Sequence, residues 1–98
     1  MKAVLLHRRR VVLAVDAFVE VVVWRVPAPV PPSRHTFKYR LAYLVGGKCV
    51  LRYDNEQGKG DHRHSAVAET PYAFSTPDRL MADFEADVAR WNHENGRS

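Results

Sequence analysis

Phe37-Lys38-Tyr39-Arg40-Leu41-Ala42-Tyr43-Leu44-Val45-Gly46-Gly47-Lys48-Cys49-Val50-Leu51-Arg52-Tyr53-Asp54 is the stretch whose reading decides the fold. Two runs of β-formers flank Gly46-Gly47, a pair suited to the two-residue hairpin turn whose residues take φ > 0. His35 to Val45 is therefore read as one strand and Lys48 to Asp54 as its antiparallel return. A turn at Gly46-Gly47 predicts the register. Val45, Tyr43, Leu41 and Tyr39 oppose Lys48, Val50, Arg52 and Asp54 on one face. Leu44, Ala42, Arg40 and Lys38 oppose Cys49, Leu51, Tyr53 and Asn55 on the other. The turn end is apolar and the far end polar; a one-residue slip would exchange the faces.

The elements on either side extend this hairpin into a sheet. Residues 2–7 and 10–15 read as a strand, or as two pieces bent near His7-Arg8-Arg9-Arg10, followed by a tight turn at Asp16-Ala17. Phe18 to Val26 is the strongest strand, rich in valine and closed by the proline run 27–32, which cannot donate a regular ladder and reads as a stiff polyproline-like connection. Gln57-Gly58-Lys59-Gly60 is a loop, and His62–Val67 and Pro71–Phe74 are two further short strands. Thr76-Pro77-Asp78 is a helix start, with Thr76 as N-cap and Pro77 at the first helical position. Leu80, Phe84, Val88 and Trp91 then recur at helical spacing, joined by Met81, with Asp83, Glu85 and Asp87 lying mostly off that stripe, and Gly96 closes the helix. The expected fold class is α+β: an antiparallel β-sheet of about four to six strands with one long C-terminal α-helix packed on it. The 98 residues form one domain.

Charge bounds the partners. The net charge is +4, but residues 1–65 hold 12 Lys/Arg against 5 Asp/Glu, and residues 66–98 hold 3 against 6. A basic body suits a polyanion such as RNA. Cys49 is the single cysteine, which excludes an internal disulfide and a multi-Cys zinc site. Lying among apolar residues, it reads as buried packing. Asp16, Glu20 and Arg25 interrupt the apolar run from Val11 to Val30, so no membrane span is expected, and a cytoplasmic location is.

The chemistry gathers in Gly58-Lys59-Gly60-Asp61-His62-Arg63-His64. In extended chain His62 and His64 point to one side, Asp61 and Arg63 to the other. RNA cleavage through the 2′-hydroxyl needs a base, an acid and cations for the phosphate charge. His62 and His64 are the candidate base and acid. Lys59, Arg63 and Arg52 are candidates for the phosphate, and Asp61 or Asp54 for orienting an imidazole. Tyr53 or Tyr72 could stack on a base, and Lys38 and Arg40 extend the basic edge. No cofactor is required by this reading. A metal held by His62, His64 and either Asp54 or Asp61 is the alternative. A growth inhibitor that binds RNA or a protein without turnover is the non-enzymatic alternative.

Arg52-Tyr53-Asp54-Asn55, the Gly58–His64 run, Pro71-Tyr72 with Phe74, Leu80 with Asp83-Phe84, and Trp24-Arg25-Val26-Pro27 upstream resemble the TumE family. The likeness extends from about Ala3 to Arg90. It implies a toxin of a bacterial toxin–antitoxin pair and a cognate antitoxin, commonly one with a DNA-binding helix-turn-helix domain. A small basic ribonuclease is the activity expected from the residues themselves, and a homodimer is left open. The antitoxin is expected to cover the basic, histidine-bearing edge.

Overall fold

A computed structural model describes residues 2–65 and 67–97. Six strands form one antiparallel sheet in chain order: β1 (Val4–Ala14), β2 (Ala17–Arg25), β3 (Phe37–Val45), β4 (Lys48–Glu56), β5 (Gly60–Ser65) and β6 (Glu69–Pro71). One helix, α1 (Pro77–Glu94), packs over β3 and β4. Its start follows the expected chemistry: Thr76 Oγ1 accepts from the Arg79 N–H at 3.1 Å, and Pro77 opens the first turn. Leu80 and Phe84 are fully buried against Leu41, Tyr43, Leu51 and Tyr53 of the sheet. The α+β class stands as expected, and so does the packing of Leu80, Phe84, Val88 and Trp91 against the core; Asp87, expected off that stripe, is buried with it. No helix among the described residues is long and apolar enough to cross a membrane.

Several local expectations change. The first turn is one residue earlier, between Ala14 and Ala17, and β1 runs without a break through the arginines, with bulges near Leu6 and Leu13. The proline run is a turn rather than a rod: the Ser33 N–H donates to the Val30 carbonyl at 2.9 Å, and the segment folds against the β4–β5 turn. The last of the short strands is Glu69–Pro71, and the proposed strand His62–Val67 ends at Ser65, with Ala66 outside the described residues.

The central register is the main correction. Val45↔Lys48 and Leu44↔Cys49 pair as the glycine turn requires. A bulge at Val50 then shifts the ladder, so that Tyr43 pairs with Leu51, Leu41 with Tyr53, Ala42 with Arg52 and Arg40 with Asp54. The shift puts Leu51 and Tyr53 under the helix with Leu41 and Tyr43, where four large side chains bury together. The unbulged register would have put Arg52 and Asp54 there instead. Burying those charges costs several kcal/mol unless they are paired, so the bulge is what the hydrophobic pattern demands. Cys49, read as buried, is exposed at the turn end of the hairpin, on the face away from the helix.

Candidate functional site

The β4–β5 turn is the local device that sets the site. Gly60 has φ of +76°, and a Cβ there would stand 3.0 Å from Pro32 Cγ. The Gly58 N–H donates to the Pro31 carbonyl at 2.8 Å. The glycines therefore seat the turn on the proline segment, and β5 leaves it in a fixed register. Asp54 pairs with His62 and Arg52 with His64. Because side chains alternate, the sheet face away from α1 carries two rows. One runs Arg40, Asp54, His62, Pro71 and the other Ala42, Arg52, His64, Glu69 across β3 to β6.

These rows bring two imidazoles, a carboxylate and a guanidinium into contact. The His62 and His64 rings stand 4.7 Å apart, edge to face. Asp54 lies between two bases: its Oδ2 is 2.9 Å from Arg52 Nε, and its Oδ1 is 2.7 Å from His62 Nε2. The Gly60 carbonyl, an acceptor only, is 2.8 Å from His62 Nδ1, so that nitrogen carries a proton. His62 Nε2 and Asp54 Oδ1 are both buried and are not aligned for a hydrogen bond. Two lone pairs at 2.7 Å repel, so the contact calls for a proton on Nε2 or a shared cation. His64 differs. Arg52 Nη2, which can only donate, stands 2.9 Å from its Nε2, so that nitrogen is an acceptor. His64 is 24% exposed and His62 is buried. Glu69 Oε1 is 3.6–3.7 Å from both Nε2 atoms, at the rim.

Lys59 is exposed on the turn and lines a shallow hollow beside His62, Glu69 and Pro71. Lys38 and Arg40 are exposed on the same face of β3. Lys38, Arg40, Arg52, Asp54, Lys59, His62 and His64 thus share one side of the molecule. Tyr53, Asp61, Arg63 and Tyr72 do not share it. Asp87 accepts from the Tyr53 hydroxyl, from Arg63 Nε at 2.6 Å and from Arg90 Nη1 at 2.9 Å. Tyr72 donates to Asp83 at 2.6 Å. Burial, and then the helix carboxylates, push both phenols above their ordinary range and keep them protonated. Burial works against the Arg63 charge, but the Asp87 carboxylate outweighs it and raises the guanidinium's pKa. Tyr53, Arg63 and Tyr72 hold helix to sheet and do not face a ligand shared with the histidines.

Asp61 belongs to a second cluster. It accepts from Ser33, from Tyr39 at 2.7 Å, and is 2.6 Å from His35 Nε2. His35 Nδ1 accepts from the Phe37 N–H at 3.1 Å, and its ring stacks on Phe74 at 3.9 Å. Asp61 therefore orients His35, while Asp54 stands beside His62. For a metal the donor set is then Asp54 Oδ1 or Oδ2, His62 and His64, whose ligand atoms lie within 4.8 Å of one another; Asp61 is not among them. Ser33, His35, Asn55, Glu69 and Asp87 carried no expected role at the site, although Asn55 falls in the Arg52–Asn55 run and Asp87 was expected off the helix stripe. Asp87 had a signal: it follows Phe84 by three residues, which places it on the buried stripe rather than off it. The others depend on contacts from distant segments.

Comparison with curated proteins and with solved structures finds no match. A family model described as Toxin TumE matches residues 2–92. That span includes the sheet, both histidine rows and most of the helix, and the chain belongs to the TumE toxin family.

Proposed function

We propose that this toxin cleaves RNA at the face built from Arg52, Asp54, His62 and His64, using the neighbouring 2′-hydroxyl as nucleophile. The observation that carries the reading is the contact of two unlike imidazoles. His64 presents an acceptor nitrogen near solvent, and His62, between the Gly60 carbonyl and Asp54, suits the doubly protonated form. One lone pair and one extra proton are what a base and an acid need. In this scheme a phosphate draws Arg52 away from His64, freeing Nε2 to take the 2′ proton. The 2′ oxygen attacks phosphorus, the bond to the 5′ oxygen breaks, and His62, whose buried Nε2 must first be uncovered, gives that oxygen its proton. Arg52, Arg40, Lys38 and Lys59 offset the phosphate charge. Membership of the toxin family supports a toxin role and implies an antitoxin. An antitoxin with a helix-turn-helix domain and action on RNA in the cytoplasm are parts of the same proposal.

The test is purified protein with RNA, with and without EDTA, followed by mapping of the cut ends. The expected products carry 2′,3′-cyclic phosphate and 5′-hydroxyl ends, are insensitive to EDTA, and show a bell-shaped rate against pH that belongs to the coupled pair. His64→Ala should slow cleavage by about 10²–10⁴-fold with folding intact. Toxicity that survives loss of either imidazole would favour a non-enzymatic inhibitor. A second reading rests on two of the three buried, unpartnered atoms, His62 Nε2 and Asp54 Oδ1 (the third is Arg52 Nε), with His64 beside them, a donor set that fits zinc or a first-row metal. EDTA-sensitive cleavage leaving 5′-phosphate and 3′-hydroxyl ends would select it.

A further inference from the structure

We propose that the cognate antitoxin anchors on the outer edge of β1, laying an acidic extended segment along Val4–Ala14 and placing apolar side chains in the groove between β1 and α1. This rests on membership of the toxin family and not on the RNA reading. β1 pairs only with β2 among the described residues, so its other edge presents unpaired backbone along eleven residues. Nine of those residues are exposed. A long bare edge is a template for another strand, and proteins that keep one use it or protect it.

The surroundings specify the occupant. α1 sits over β3 and β4 and leaves the flank of β1 uncovered on the helix side. The groove there has a volume of about 280 Å³. Val11, Leu13 and Val19 line it from the sheet, and Met81, Phe84 and Val88 from the helix, with Arg9 and Glu85 also at its wall. On the opposite face Val12 is 70% exposed. Arg8, Arg9 and Arg10 stand in mid-strand, and alternation puts positive charge on both faces of the edge. Unpaired backbone, an apolar groove and three cations suit a peptide strand with alternating apolar and acidic residues. RNA would satisfy the arginines but leave the groove and the backbone unmatched. A second copy fits poorly as well. Antiparallel self-pairing along the strand centres on Arg9 and sets the two arginine triplets against each other, and like charges directly opposite destabilise a sheet. Four strand spacings, about 19 Å, separate this edge from β5. The anchor therefore lies apart from the histidine face, and a further part of the antitoxin would have to reach that face to block it.

Titration calorimetry of Arg9→Glu and Leu13→Asp toxin against purified cognate antitoxin tests the proposal, with amide hydrogen exchange of β1 in the free and bound protein. Each variant should bind at least about tenfold more weakly, remain toxic when the antitoxin is absent, and escape neutralisation. The β1 amides should become protected in the wild-type complex. If Leu13→Asp lowers the melting temperature, Arg9→Glu and the exchange experiment decide. Affinity within twofold of wild type for Arg9→Glu, or β1 amides that exchange equally fast in the complex, overturns the proposal. So does loss of RNA binding and toxicity in Arg9→Glu with antitoxin affinity unchanged, which would assign the edge to RNA. A β1-mediated dimer in sedimentation would assign it to a second copy.

Discussion

Asn55→Ala should be among the most damaging single changes in the sheet. Strands β3 and β4 pair as far as Arg40↔Asp54, and beyond that point the Asn55 amide takes over from the ladder. Its Oδ1 accepts from the Tyr39 N–H at 2.9 Å, and its Nδ2 donates to the Phe37 carbonyl at 2.7 Å. Asn55 is 1% exposed, so water cannot readily replace those partners. A buried polar group left unsatisfied costs about 1–3 kcal/mol, and alanine leaves two of them, for about 2–6 kcal/mol together. Total stability for a domain is about 5–15 kcal/mol. At about 4–8 °C per kcal/mol for a domain near this size, the melting temperature should fall by at least about 8 °C. Urea unfolding measures the loss, and amide exchange locates it. The Tyr39 amide should lose protection in Asn55→Ala. It should keep protection in Asn55→Asp, which retains the acceptor but sets an oxygen against the Phe37 carbonyl. A loss below about 1 kcal/mol, or an equally protected Tyr39 amide in the alanine variant, would refute the bridging role. Because Asn55 adjoins Asp54, the same variant should also loosen the carboxylate from His62 and lower any activity of that face.

Two further outcomes follow from the packing. Burial opposes the charge on Asp61, but the Ser33 and Tyr39 hydroxyls and the His35 ring outweigh it and hold its carboxyl below the ordinary value of 3.8. A depressed carboxyl stabilises the fold above its unfolded value and loses that contribution as the pH falls through its folded value. Urea unfolding at a series of acid pH values should therefore show stability declining below about pH 5, and Asp61→Asn should flatten that decline; an unchanged slope would remove Asp61 as its source. Phe84, 2% exposed and edge-on to the Tyr53 ring at 5.7 Å, should cost about 3–5 kcal/mol when truncated to alanine. A cost under about 1 kcal/mol would mean that α1 contributes little to the core.

What the chain's local chemistry determined is visible in short stretches. Gly46-Gly47 specified a hairpin turn because both residues must take φ > 0. Thr76-Pro77 specified a helix start because the cap and the missing N–H act within one turn. The period of two put His62 and His64 on one side and Asp61 and Arg63 on the other, and the sheet keeps that division. Tertiary structure decided the rest, because it depends on partners distant in the chain. The bulge at Val50 answers to the helix, which needs Leu51 and Tyr53 beneath it rather than Arg52 and Asp54. Asp87 is buried because Tyr53 and Arg63, 34 and 24 residues earlier, arrive to satisfy it. Which aspartate meets which histidine was equally open along the chain. Asp61 adjoins His62 in sequence yet turns to His35, 26 residues away, while Asp54 reaches His62 across the sheet, because neighbours in a strand face opposite sides and partners in adjacent strands face the same one.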